Sequence, residues 1–537
     1  MQEYIVTLKS YDDLDGFYED METKGGPNTI PSRKVNCSSR RPISRNTHYI
    51  LSEEEAENLK KDHRVLDVEL IPSLRGIEPV FFWEQTGDYE KSSSISSTDK
   101  NWGLYRSVNG HVVNWGNTFT QQTGTVTTTS SGKHVDVVIV DAHINPNHPE
   151  FAVNPDGTGG SRVNQYDWFQ HSASLGIPTV GQYSYASISS NHGTHVAGIA
   201  AGNTQGWARD ANIYNIEFDY SGSFPYIDWT IYLFDYIREW HKTKPINPIT
   251  KRRNPTIVNN SWGYSYSDVQ LSAITSVTYR GEITDLTALT VNQKKNILET
   301  KGIPVPTSTY LYRIPARVSS VDVDIADAIN DGVILVASAG NSYWEISDPD
   351  SQDWNNYVSG VYHQRGSTPG AANEVICVGS VGTSSSQYKS SFSNYGKRVD
   401  IWASGSNVTS SVYDSTAASE FGITLANDPR NSNYKIGSIS GTSMASPQVT
   451  GIIACYAEQN PSLTPTEAIN YLIDTCENEQ VGNTGGGYGD YLSLGQFSNN
   501  RYLKYKLERQ LSGKVFSSGV YRTRDSAGVT FPRIRLR

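Results

Sequence analysis

Cysteine is scarce. The four in 537 residues, Cys37, Cys377, Cys455 and Cys476, are too scattered for a disulfide scaffold, and without a Cys-x-x-Cys pair they offer no thiolate metal site. Cys377 and Cys455 stand in apolar runs and read as buried free thiols, while a Cys455–Cys476 bridge stays open. Also missing is any run of about eighteen apolar residues, which excludes a membrane-spanning helix. The opening Met-Gln-Glu-Tyr-Ile-Val-Thr-Leu enters an alternating strand directly, without the basic and apolar regions of a secretory signal peptide. The expectation is a protein that stays in the cell, leaves it by another route or belongs to a larger particle. Strong charge of one sign is absent too. A net −10 over this length suits a soluble protein and argues against nucleic acid as a partner. Sequons at Asn36, Asn259 and Asn407 carry little weight without a secretion route. What the chain has is aromatic bulk, 11 Trp, 33 Tyr and 14 Phe, and length enough for more than one domain.

Residues 1–82 read as a small α+β unit: a strand at Tyr4 to Leu8, a polar helical stretch from Asp12, and a second strand ending near Leu51. Ser52-Glu-Glu-Glu55 is a capping-box pattern opening a helix, and Val65 to Ile71 alternates as a last strand. Residues 83–101 turn to Ser, Thr, Asp and Lys and read as an exposed linker. A main body spans 102–496. In it Val135 to Val140 is a near-continuous apolar strand of the kind buried in a parallel sheet, and it ends in Asp141. Further strands are expected at Ala211 to Ile216, Thr256 to Val258, Val333 to Val336 and Val375 to Val381. Alternation with helical stretches predicts a doubly wound, mostly parallel α/β sheet with helices on both faces. A polar segment at about 264–318 reads as an insertion without a clear partner strand. The extension 497–537 carries ten Lys/Arg against Glu508 and Asp525. It is either a solvated extension or an arm for an acidic partner.

Chemistry concentrates in four places. Ser440-Gly-Thr-Ser-Met-Ala-Ser-Pro447 reads as a tight turn opening into a buried helix. Gly441 is expected to take a conformation other residues resist, and Pro447 to sit in the first helical turn. Ser443 would then lie at the positive end of the helix, beside N–H groups without intrahelical partners. A serine hydroxyl needs a base to take its proton, and the base needs an acid to hold its tautomer. His192 in His-Gly-Thr-His is the candidate base, with Gly193 permitting close backbone approach, and Asp141 is the candidate orienter. Asn341 could donate its amide to a developing oxyanion beside the Ser443 N–H. Each has a bland reading alone: a capping serine, a core histidine, a strand-ending aspartate, a turn asparagine.

Together these segments resemble the subtilisin-like serine proteases (subtilases), whose chain order is Asp, His, Ser. The matching stretches are Val-Ile-Val-Asp141, His192-Gly-Thr-His-Val-Ala-Gly, Asn260-Ser-Trp-Gly263, Ala339-Gly-Asn341 and Gly441-Thr-Ser443-Met-Ala-Ser-Pro. They cover about Trp102 to Cys476. The resemblance implies a subtilisin-like fold behind a small ferredoxin-like prodomain, and a serine endopeptidase acting on proteins or peptides. It implies Asp141, His192 and Ser443 as triad and Asn341 as oxyanion donor. Ser261, Trp262 and Gly263 would line the substrate cleft, with Trp262 walling the first specificity pocket. Residues 1–82 resemble the family's inhibitor-like propeptides, an intramolecular inhibitor removed autocatalytically by a cut between about Val80 and Lys100. Ala142-His143 and Gln448 depart from the family pattern. His143 could crowd the triad or add a second titrating group, while Gln448 is expected to be harmless. No cofactor is required for catalysis. Structural calcium is compatible with Asp348, Asp350 and Asp353, which also fit a solvated acidic loop. Glu345 and Asp348 would favour basic substrates. The basic tail could dock on a particle such as a virion. The rival reading is a subtilase-fold binding or structural module held inactive by its N-terminal domain. Carboxyl-type relatives with Glu in place of His fit badly, because His192 stands in its full motif.

Overall fold

The computed structural model describes residues 1–24, 32–81, 101–110, 128–179, 181–185, 190–220, 228–305, 309–383, 386–484, 492–495 and 498–507. The expected linker and the basic tail beyond 507 lie outside these residues. Among the described residues no helix is long and apolar enough to cross a membrane.

A nine-stranded sheet forms the centre of the body. In spatial order its strands are Glu477–Asn478, Arg501–Tyr502, Ile401–Ser404, Ile376–Val381, Ile334–Ser338, Thr256–Asn260, Asp136–Asp141, Asn212–Glu217 and Val163–Asn164. All pairs are parallel except the outermost, between Glu477–Asn478 and Arg501–Tyr502. The Asp136–Asp141 strand explains the layering. Its side chains alternate, so Val137 and Ile139 join one core with the helices His192–Ala201 and Thr442–Gln459. Val138 and Val140 join a second core with the helices Leu233–Thr243 and Ser319–Asn330. All four are fully buried, worth roughly 1.5–3 kcal/mol each. Chain order reverses direction on either side of this strand, and such a switch point opens a crevice at the strands' carboxyl ends.

Several expectations need correcting. The 264–318 segment is not strandless: Ser276–Tyr279 and Glu282–Asp285 form a hairpin that pairs with Tyr357–Val358. Leu271, Val277, Leu298 and Leu311 give it a core of its own, shared with Trp344. The body does not stop at 496. Arg501–Tyr502 extends the central sheet, and Tyr502, Leu503 and Tyr505 bury in its core. All four cysteines are free thiols, so the Cys455–Cys476 bridge is absent.

The N-terminal unit runs β-α-β-β-α-β. Its antiparallel sheet has the order Cys37–Arg40, Asn46–Leu51, Gln2–Leu8, Val65–Leu70. Tyr4, Val6 and Leu8 face the helices Leu14–Glu19 and Glu53–Leu59, the latter opened by the Ser52/Glu55 capping box. Ile5, on the opposite face, packs into the body's core. Buried polar groups complete the contact with the body. Arg41, fully buried, donates to Asp235 at 2.7 Å and also to Asp324, both aspartates nearly inaccessible. Asn46 Nδ2 donates to the Ser320 carbonyl at 3.0 Å, and Arg45 pairs with Asp327 at 3.2 Å. A buried guanidinium between two carboxylates is tolerable only while all three are present. Arg41→Ala should therefore cost about 3–5 kcal/mol of docking free energy. Calorimetry of the full chain should show the N-terminal unit melting ahead of the body.

Candidate active site

The crevice collects the residues that the sequence singled out. Asp141 ends its strand with no exposed surface, and burial pushes its carboxyl above the ordinary range while His192 pulls it back. Its Oδ1 accepts from His192 Nδ1 at 2.7 Å and from the Ala142 N–H at 2.8 Å. Both bonds hold the carboxylate in one orientation, and the first fixes which imidazole nitrogen carries a proton toward it. His192 is the first residue of its helix. The approach of that helix to the strand end depends on Gly193, where an added Cβ would lie 2.1 Å from the Ala142 carbonyl oxygen. The second turn of contact comes from Thr194 Oγ1, which accepts from the Asn145 N–H at 3.0 Å.

Ser443 is the second residue of the Thr442–Gln459 helix. Gly441 ahead of it has φ 160° and ψ 159°, an extended backbone open to any residue, so the conformational argument for that glycine fails. Pro447 is likewise deeper than expected, in the second turn. A proline there withholds the N–H that would bond the carbonyl four residues back, that of Ser443. Ser261 supplies the missing donor: its Oγ bonds the Ser443 carbonyl at 3.0 Å, and Ser443 Oγ in return donates to the Ser261 carbonyl at 3.0 Å. The two serines are thus locked in a reciprocal exchange that joins the helix to the end of the Thr256–Asn260 strand.

Asn341 follows Gly340, whose φ of 104° needs glycine. Its Oδ1 accepts from the Thr442 N–H at 2.9 Å and from Thr442 Oγ1 at 2.7 Å. Its Nδ2 is buried with no hydrogen-bond partner among the described residues. A polar N–H₂ left in that state is costly unless something else receives it.

The cleft residues form the Trp262–Tyr266 strand after Ser261. The Trp262 ring is buried and stacks on Phe218 at 5.2 Å. Along the main chain this strand pairs antiparallel with Ile77–Phe81 of the N-terminal unit, with Trp262 opposite Phe81 and Gly263 opposite Val80. The N-terminal unit thus adds a strand to Trp262–Tyr266. Sequence reading missed this element.

The departures find definite places. His143 turns to Glu217, Nδ1 to Oε1 3.3 Å, with Tyr185 and Tyr413 edge-on to its ring. Burial pushes Glu217 up to about 8. Gln448 accepts from Trp207 Nε1 at 2.7 Å and donates to Asn101 at 2.9 Å, tying the helix to the start of the body. The acidic residues after Asn341 serve ion pairs: Asp348 with Lys397 at 2.7 Å and Asp353 with Arg280 at 2.8 Å. Among the described residues no group of three or more His, Cys, Asp or Glu stands close enough to hold a metal ion.

A strand-end aspartate, a helix-start histidine, a helix-start serine and an asparagine amide thus stand at the carboxyl ends of neighbouring strands. The model of the subtilase family (peptidase S8) matches residues 132–490, and the chain belongs to that family. Alkaline serine exoprotease A of Vibrio alginolyticus is 23% identical over 449 residues, covering 82% of this chain and 57% of that protein. The extracellular serine proteinase of Thermus sp. (strain Rt41A) is 32% identical over 167 residues, 31% of this chain and 32% of that protein. The chain therefore spans well under two thirds of either relative. Among solved structures, a cold adapted subtilisin-like serine proteinase aligns over 76% of this chain and all of its own, at 22% identity and a TM-score of 0.46. Fervidolysin from Fervidobacterium pennivorans aligns over 94% of this chain and 60% of its own, at 16% identity and a TM-score of 0.47.

The serine exchange makes a stability prediction. Ser261→Ala should orphan the Ser443 carbonyl and cost about 1–3 kcal/mol in urea melts. Adding Pro447→Ala restores an N–H four residues on, so the double variant should recover part of that loss.

Proposed function

We propose that this chain is a serine endopeptidase whose residues 1–81 form a ferredoxin-like prodomain that acts as its own inhibitor. The observation that carries the reading is the buried Asp141–His192 hydrogen bond, at the same strand ends as Ser261, whose carbonyl Ser443 bonds. In the proposed reaction His192 takes the Ser443 hydroxyl proton as the oxygen attacks the substrate carbonyl. Asp141 supports the imidazolium so formed. Asn341 Nδ2 and the Ser443 N–H receive the oxyanion. The amine leaves with the proton from His192, and water then releases the acyl group from Ser443. The reaction draws on no cofactor. A bound calcium would act on stability alone, and thermal melts with and without EDTA test for it.

Substrate backbone would add to the Trp262–Tyr266 strand as Ile77–Phe81 does. Because Phe81 stands opposite Trp262 and Ser261 grips Ser443, this register sets the proposed cut just past Phe81. The proposed cut lies within a residue or two of Phe82, at the near end of the 80–100 range. The rival, an inactive module, draws on the same strand and on the buried Arg41 contact, which would hold the cleft shut permanently. The tail beyond 507 is proposed to dock an acidic partner, a larger particle among them.

Intact mass of the wild type beside Ser443→Ala separates the two. Self-processing predicts loss of the first eighty or so residues from the wild type only, with a new N-terminus at or within two residues of Trp83. Both chains staying whole, and neither cleaving casein, would favour the inactive module. For the processed enzyme, Asn341→Ala should lower kcat by about 10²–10³, the magnitude that loss of such a donor has in subtilisin.

A further inference from the structure

The first turn of the His192 helix meets a carboxylate from far along the chain. Glu420 closes the short helix Ala417–Glu420, which Ala417 and Phe421 anchor in the core. Its Oε1 accepts from Ser190 Oγ, and Ser190 Oγ accepts from the His192 N–H at 3.1 Å. Its Oε2 accepts from the Asn191 N–H at 3.0 Å and from Asn191 Nδ2 at 2.8 Å. Asn191 does not cap the helix with its own side chain. That side chain instead donates to Thr416 Oγ1 at 2.9 Å and accepts from the Asp414 N–H at 2.9 Å. The N–H groups of Asn191 and His192 thus run, directly or through Ser190, into one half-buried carboxylate.

A histidine at a helix start is a poor place to form a cation, because the unpaired N–H groups and the helix dipole present positive charge there. Asp141 faces the imidazole from the strand side, with His143 and Glu217 paired beyond it. On the other side stand Asp414, which turns to the Thr416 N–H and Oγ1, and Glu420. Burial is the chief cause of the upward push on the Asp141 carboxyl, and the Glu420 charge adds a smaller part in the same direction.

We propose that Glu420 is a positioning residue for His192: its carboxylate, bound to Ser190 and Asn191, offsets the positive helix end and so favours the imidazolium formed during catalysis. The proposal rests on His192 being the general base. Glu420→Gln keeps the shape and most of the hydrogen bonds but removes the charge. The acid limb of the kcat/KM profile should then move down by about 0.3–0.7 pH units, with kcat falling about two- to five-fold. Thr416→Val drops the hydrogen bonds of Thr416 Oγ1 to Asn191 and Asp414 and keeps the Glu420 charge, so its acid limb should stay where the wild type has it. The wild-type enzyme gives a second readout that needs no folded variant. Glu420 is partly exposed, so added salt should screen it and lower the wild-type acid limb. The same salt should leave the Glu420→Gln limb unmoved. A lowered kcat in Glu420→Gln with an unmoved limb, or a wild-type limb indifferent to salt, would mean a purely structural role and overturn the proposal. A wild type without any acid limb would overturn the assignment of His192 as base, and this proposal with it.

Discussion

Between the end of the Asp136–Asp141 strand and the start of the His192–Ala201 helix there is no room for a side chain. A Cβ on Gly193 would sit 2.1 Å from the Ala142 oxygen, so glycine alone allows the two elements to close to the 2.7 Å bond between Asp141 and His192. Everything else in the crevice is arranged around that contact. Thr442 holds Asn341 by its oxygen, and Ser261 takes the carbonyl that Pro447 leaves unpaired. The consequence is a set of functional groups fixed by main-chain geometry and hydrogen bonds, with little left to side-chain freedom.

Electrostatics follow from the same burial. Asp141 has no exposed surface, and its carboxyl group, pushed up by burial, is held by His192 and a main-chain N–H. The interface with the N-terminal unit repeats this on a larger scale, with Arg41 buried between Asp235 and Asp324. Such a contact gives specificity of docking more than net stability, since each desolvated charge costs nearly what its partner returns. The docked unit then brings the Ile77–Phe81 strand against Trp262–Tyr266 as a matter of connectivity.

Local signals in the sequence were enough for much of this. The apolar run before Asp141, the glycine after His192 and the Ser52 capping box each state their structure within a few residues. Long-range pairings were not legible. Arg41 meets partners 194 and 283 residues away, and Glu420 meets Ser190 and Asn191 at a distance of about 230 residues. No periodicity announces such contacts. The cleft strand was hidden for a different reason: it is five residues long with Pro79 inside it, and proline demotes a run to an edge or a loop. Here the edge is the point, because among the described residues the strand pairs with one partner only. Pro447 misled because its neighbourhood was read as a helix start, whereas the unsatisfied carbonyl it creates is answered by Ser261, 182 residues away.

The central claim is that Asp141 and His192 share one short, dry hydrogen bond that sets the imidazole for proton transfer. Its most direct test is the proton NMR spectrum of the Ser443→Ala chain, in which no turnover or processing complicates the sample. The account predicts a single exchange-protected proton resonance far downfield of the amides, assigned to His192 Nδ1 by nitrogen labelling and lost in Asp141→Asn. A resonance that survives Asp141→Asn, or none at any pH, would contradict it.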